Sequence, residues 1–140
     1  MTARALLDKQ IDDVTYQLTM VLEGVDEAHL DHKVVPTAMS IREQVEHLCE
    51  VYTALEEMSR GVSHEWGTYK VEDTSWPSLT ALFKDLRAKA IVIVQTSDDE
   101  KTIMEGSGFI VNHDAYHVGQ IALIRIAVDP SWNPYSIYNH

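Results

Sequence analysis

The chain has little cysteine, little positive charge and no long apolar run. A single cysteine, Cys49, in 140 residues excludes an intrachain disulfide and any Cys-x-x-Cys metal or redox pair. Eleven Lys and Arg against 22 Asp and Glu give a formal net charge of −11 at pH 7. That balance argues against a nucleic-acid partner, because phosphate backbones call for clustered basic side chains. No apolar stretch reaches the roughly 18 residues of a membrane span, so no membrane association is expected. The opening residues, MTARALLDKQIDD, are charged throughout and lack the apolar core of a signal peptide. A reducing cytoplasm is the expected compartment. Six Gly and four Pro leave little material for flexible linkers, and the length suits one domain, residues 1–140, around one core.

What the sequence does carry is helical periodicity. Leu7, Ile11, Val14, Leu18 and Val21 recur at spacings of four and three, which predicts a helix from about Thr2 to Gly24. A short connection follows, with one helical turn expected at DEAHL. Ser40 and Glu43 form an S-x-x-E capping box. A second stripe, Ile41, Val45, Leu48, Tyr52 and Leu55, continues from it, with Gly61 as the stop. Residues 61–75 read as a polar loop. Trp76-Pro77 opens a third helix, with Leu79, Leu82, Phe83, Leu86, Ala90 and Ile93 as its inward positions. A new N-cap is expected within TSDDEK, and a fourth helix over about Ser107 to Val128, ended by Asp129-Pro130. Four amphipathic helices predict an all-α fold, most economically a four-helix bundle. The aromatic tail is expected to pack on the body.

The fourth helix has an unusual inward stripe: Ile110, His113, His117, Ile121, Ile124 and Val128. Residues four apart on a helix have Cβ atoms ~6 Å apart, so both imidazoles can reach one ion. The competing reading is a pair of buried, hydrogen-bonded core histidines. Two in register weaken it, because each must satisfy two ring nitrogens in an apolar seam. Of the other five, His29, His32, His64 and His140 lie in loops or at the end of the chain and are expected to be solvated. His47 lies within the second helix, about 120° from Ile41 at ~100° per residue, on the flank of the core stripe. Three imidazoles from two helices would make a metal site with an open position, the arrangement of catalytic rather than structural sites. Gln44, one turn before His47, and Asp114, beside His113, are candidates to orient these imidazoles. Asp114 could equally be an exposed helical acid. A di-iron site is discounted, because Gln44 stands where Glu-x-x-His would need a carboxylate.

With these residues in place the chain resembles the DinB-like family (DinB/YfiT-like metalloenzymes). The resemblance spans nearly the whole chain and rests on SIREQVEHLCEVY, on NHDAYHVGQIALIR and on the spacing of the helices. It implies an up-down-down-up four-helix bundle. It also implies a zinc or nickel ion held by His47, His113 and His117, and a homodimer. Gly119 would permit close helix contact and Gln120 would brace the site. Relatives include transferases and isomerases that use low-molecular-weight thiols such as bacillithiol or mycothiol. The implied function is thus a metal-dependent S-transferase or isomerase with a small-molecule substrate. Two alternatives stand beside it: a non-catalytic, stress-associated metal-binding bundle, and a metal-assisted hydrolase with Asp114 or Glu50 as base. Cys49, two residues from His47, points ~200° away from it and reads as a buried structural residue. Trp66, Tyr69, Trp76 and Trp132 could line a pocket mouth, with packing the plainer role for at least two of them.

Overall fold

The computed structural model describes residues 1–138 and contains no strand among them. Helix α1 spans Ala3–Leu22, α2 spans Ile41–Ser59 and α3 spans Trp76–Thr96. A fourth helical run comprises α4 (Glu100–Gly106), a π-helical stretch (Ser107–Asn112) and α5 (His113–Val128). Single 3-10 turns lie at Glu27–His29, within the expected DEAHL turn, and at Pro134–Tyr138. His140 lies outside the described residues. No helix among the described residues is long and apolar enough to cross a membrane.

The chain divides into two compact units, residues 1–44 together with 111 onward, and residues 45–110. In the first unit the expected α1 stripe, Leu7, Ile11, Val14, Leu18 and Val21, is buried throughout. The helix begins where the Thr2 hydroxyl accepts the Ala5 N–H at 3.1 Å, an N-cap that satisfies one of the four orphan donors. The stripe packs along α5 and the 134–138 turn. The tail packs there through Ile137, which is buried, and the Tyr16 hydroxyl donates to the Ser136 carbonyl at 3.4 Å, while Tyr135 and Tyr138 of the tail are exposed. At the other end of α1, buried Arg125 of α5 donates to the carbonyls of Val21 at 3.1 Å and Glu23 at 2.6 Å. These belong to the carbonyls that a helix C-terminus leaves without intrahelical partners. The guanidinium also stands 4.7 Å from the Trp132 ring centroid.

The capping box is formed. The Ser40 N–H donates to the Glu43 carboxylate and the Glu43 N–H donates to the Ser40 hydroxyl, each at 3.2 Å. From it α2 runs with Ile41, Val45, Leu48, Tyr52 and Leu55 all buried. It stops just before Gly61, whose φ of 75° is the left-handed conformation that glycine adopts without steric cost. Cys49 is buried and its thiol is pushed up to about 12, first by burial and then by the Glu46 charge.

In the second unit Tyr52 meets Phe83 with ring centroids 5.9 Å apart. The buried face of α3 is Leu79, Phe83, Arg87, Ala90 and Val94. Leu82, Leu86 and Ile93, expected inward, are only half-buried. The buried stripe runs through an arginine, so following apolar residues alone draws the expected face to one side. The residues AIVIV are helical, as expected.

The fourth helical run begins at Glu100, not near Ser107, because Asp99 caps it and accepts the Thr102 N–H at 2.9 Å. Gly106 and Gly108 would ordinarily argue for a break. Gly106 lies inside the helix because Val94 presses against it: a Cβ there would sit 2.7 Å from one Val94 methyl and closer still to the other. Gly106→Ala should therefore destabilise despite gaining up to ~1 kcal/mol of helix propensity. Overpacking costs ~1–3 kcal/mol, so a net loss of about 1–2 kcal/mol is expected in urea denaturation. Adding Val94→Ala should recover part of it, giving a double variant less destabilised than the sum of the two changes.

Candidate metal centre

The π-helical stretch ends at Asn112, and His113 is the first residue of α5. Such segments arise where a helix takes up one residue more than the regular repeat, often beside functional sites. From His113 onward the α-helical spacing holds, and His113 and His117 sit one turn apart. Their Nε2 atoms are 3.3 Å from one another. Two nitrogens bound at ~2.0–2.1 Å in a tetrahedral shell lie ~3.3–3.4 Å apart, so this spacing fits two ligands of one ion. His117 is 2 % exposed.

The Gln44 side chain decides which nitrogen of His117 is available. Its amide nitrogen donates to the Met39 carbonyl at 3.4 Å, which turns the amide oxygen toward His117 Nδ1, 2.8 Å away. The oxygen can only accept, so Nδ1 carries the proton and the Nε2 lone pair points at His113. A partner of this kind fixes the tautomer and ring orientation of a metal-binding imidazole. The capping box at Ser40 and Glu43 starts the helix whose first turn delivers Gln44.

His47 lies one turn beyond Gln44 on α2 and is half-buried. Burial holds its imidazole below the usual histidine range, against the opposing effect of the Glu50 carboxylate. It is therefore neutral, the ligand form, at neutral pH. One ring nitrogen from each of His47, His113 and His117 lies within 4.8 Å of the other two. Among the described residues this is the one cluster of three histidines, cysteines or carboxylates so placed. The donor set, three imidazoles of which two are already at ligand spacing, could hold a metal ion.

The supporting residues divide. Gln44, expected near His47 by its place one turn before it, has its amide oxygen 2.8 Å from His117 Nδ1 instead. Asp114 is completely buried, which excludes the exposed-acid reading. Gln120 does not contact the histidines directly: its amide donates to the Tyr116 hydroxyl, and the exposed Tyr116 ring meets His117 edge-on at 5.1 Å. A Cβ built on Gly119 would meet nothing within 4 Å among the described residues beyond its own helix backbone.

The solvated reading of His64 is wrong. Its side chain is 5 % exposed and both ring nitrogens are 3.0 Å from carboxylates, Nε2 from Glu50 and Nδ1 from Glu57. No periodic signal marks contacts seven and 14 residues apart; a histidine and two glutamates in register on a nearby helix face are the only hint. His29 is half-buried and His32 exposed. Among the aromatics, Trp132 packs under Arg125, and the Tyr69 hydroxyl is pushed up by burial beside Thr53. Trp66 is 49 % exposed and lies against His64 and Phe109. No family model, no curated protein and no solved structure matches the chain.

Proposed function

We propose that His47, His113 and His117 hold one divalent metal ion. We read the protein as a DinB-like four-helix-bundle enzyme that joins a low-molecular-weight thiol to a small electrophilic substrate. The observation that carries the metal reading is the 3.3 Å separation of the His113 and His117 Nε2 atoms, with Gln44 holding the His117 lone pair toward it. A divalent ion on three neutral imidazoles would supply a Lewis acid, drawing the pKa of a thiol or water at an open position toward neutrality.

The chain's own residues favour an external thiol. Cys49 is buried and keeps its proton well beyond neutral pH, so it cannot serve as the nucleophile. Glu50, the alternative base for a hydrolase, has one oxygen engaged by both His64 and the Gly67 N–H, and Asp114 is sealed from solvent. These engagements rank metal-assisted hydrolysis below thiol transfer.

The test is elemental analysis of protein purified without added metal, followed by an assay with a panel of low-molecular-weight thiols and an aryl halide acceptor. One ion per chain and thiol-dependent, chelator-sensitive turnover are expected. Bound metal without turnover under any thiol would leave the non-catalytic metal-binding bundle as the better account. Protein that neither retains nor takes up zinc or nickel would overturn both.

A further inference from the structure

We propose that Glu50, His64 and Glu57 form a protonation-dependent clasp that fastens the 61–75 segment to α2 and loosens it as pH rises. The geometry requires a charged imidazole. His64 Nε2 lies 3.0 Å from Glu50 Oε1, and Nδ1 lies 3.0 Å from Glu57 Oε2. Ionised carboxylates only accept hydrogen bonds, and a neutral imidazole has a single N–H to donate. A deprotonated ring would leave a nitrogen lone pair facing a carboxylate at 3.0 Å, with the side chain only 5 % exposed. Repulsion of that kind, shielded from water, is costly. Glu50 and Glu57 are seven residues apart, two turns of one helix face, so the ring bridges both turns.

The clasp also shapes the segment. Gly67 donates its N–H to Glu50 Oε1 at 2.9 Å from a backbone with φ of 86°, a conformation other residues adopt at a cost. Trp66 meets His64 edge-on at 4.6 Å and lies 6.0 Å from Phe109. A half-exposed tryptophan is thus held against an aromatic neighbour by the state of one imidazole.

The surrounding charges come from α2 and the segment itself. Arg60 lies near Glu57, while His47 and Tyr69 lie near Glu50; Trp66 and Phe109 are uncharged. The Glu50 hydrogen bond and then, against the effect of burial, the Glu57 bond raise His64 above its usual value of 6.5. Burial pushes Glu50 up, but the bonds from His64 and Gly67 outweigh it and leave its carboxyl below 4.5. A pKa raised on folding adds stability that is complete below about 6.5 and is lost as pH climbs through the folded value. For Glu50 the contribution is complete above about 4.5 and is lost as pH falls through its lowered value. The clasp is therefore closed between the lowered Glu50 value and the raised His64 value and weakened on either side.

None of the three candidate ligands, His47, His113 and His117, is a member of the clasp. NMR titration of the His64 ring, with backbone amide exchange at Gly67, tests it on the intact chain. The His64 midpoint should lie above 6.5 and move down in Glu57→Gln. Gly67 protection, corrected for the intrinsic pH dependence of exchange, should fall through the same midpoint. The loss should be ~tenfold for each unit by which folding displaces the titration. In His64→Gln, which keeps one donor, Gly67 protection should be low and flat across that range. A wild-type midpoint at or below the ordinary histidine value overturns the proposal, as does Gly67 protection that is unchanged through it.

Discussion

His117→Ala protein should lose high-affinity metal binding, whereas Gln44→Ala should bind 10–100-fold more weakly than wild type. The ranking follows from what each side chain does. His117 Nε2 stands 3.3 Å from His113 Nε2. Structural zinc sites with four ligands are worth ~10–16 kcal/mol, or about 2.5–4 kcal/mol per ligand. Losing one of three imidazoles should then weaken binding by roughly 10²–10³-fold. Gln44 touches no ion. Its contribution is to hold the His117 Nδ1 proton and ring plane at 2.8 Å, and groups in that role typically account for 10–100-fold in affinity. Gln44→Glu should behave differently from Gln44→Ala, because a carboxylate also accepts the Nδ1–H and makes the imidazole a stronger donor. Calorimetric titration with zinc, beside thermal melts of the metal-free proteins, separates lost ligation from lost folding. Equal zinc affinity in wild type and His117→Ala would remove His117 from the site.

The second large effect falls on stability. Arg125→Ala should cost about 2–4 kcal/mol. Arg125 is 4 % exposed and caps α1 through the Val21 and Glu23 carbonyls. Val21 is completely buried, so its carbonyl would lose its Arg125 bond without water to replace it, at ~1–3 kcal/mol. Glu23 is exposed and water can substitute there. The contact over Trp132 at 4.7 Å adds ~0.5–1 kcal/mol. The ion pair with Asp129 at 3.8 Å adds little, being long and partly solvated. For a chain of this size the melting temperature should drop by roughly 5–15 °C. Arg125→Lys should recover only part of the loss, since one ammonium cannot reproduce the planar donor fork. A melting temperature within a degree of wild type for Arg125→Ala would contradict the capping role.

The parts of this structure that could be read in the sequence are those governed by a short period. The α1 and α2 stripes and the Ser40–Glu43 box involve residues three or four apart, and all are realised. The one-turn spacing of His113 and His117 is legible for the same reason, whereas the Gln44 contact with His117 spans 73 residues and is not. What was hidden depends on distant partners or on a side chain with two natures. Arg87 and Arg125 occupy inward positions of α3 and α5; for Arg125 the long stem is buried while the charged end finds the Val21 and Glu23 carbonyls and the Trp132 ring. His64 meets acids across a loop. The fourth helical run starts earlier than its apolar pattern because Gly106, ordinarily a breaker, is the residue that fits against Val94. Its π-helical stretch interrupts the 3.6-residue count just before His113, where a fixed angle per residue cannot be carried across.

The pairing of α1 with α5 also has a consequence for synthesis. Val21 and Arg125 are 104 residues apart, and Tyr16 and Ser136 are 120 apart. At ~5–20 residues per second, α1 leaves the ribosome about 5–20 s before the helix that covers it. Residues 45–110, by contrast, form a unit contiguous in sequence and can collect their contacts as they emerge. Local contacts form first because the loops they close are short. The apolar stripe Leu7, Ile11, Val14, Leu18 and Val21 is thus the part of the nascent chain exposed longest, and the part a chaperone would meet.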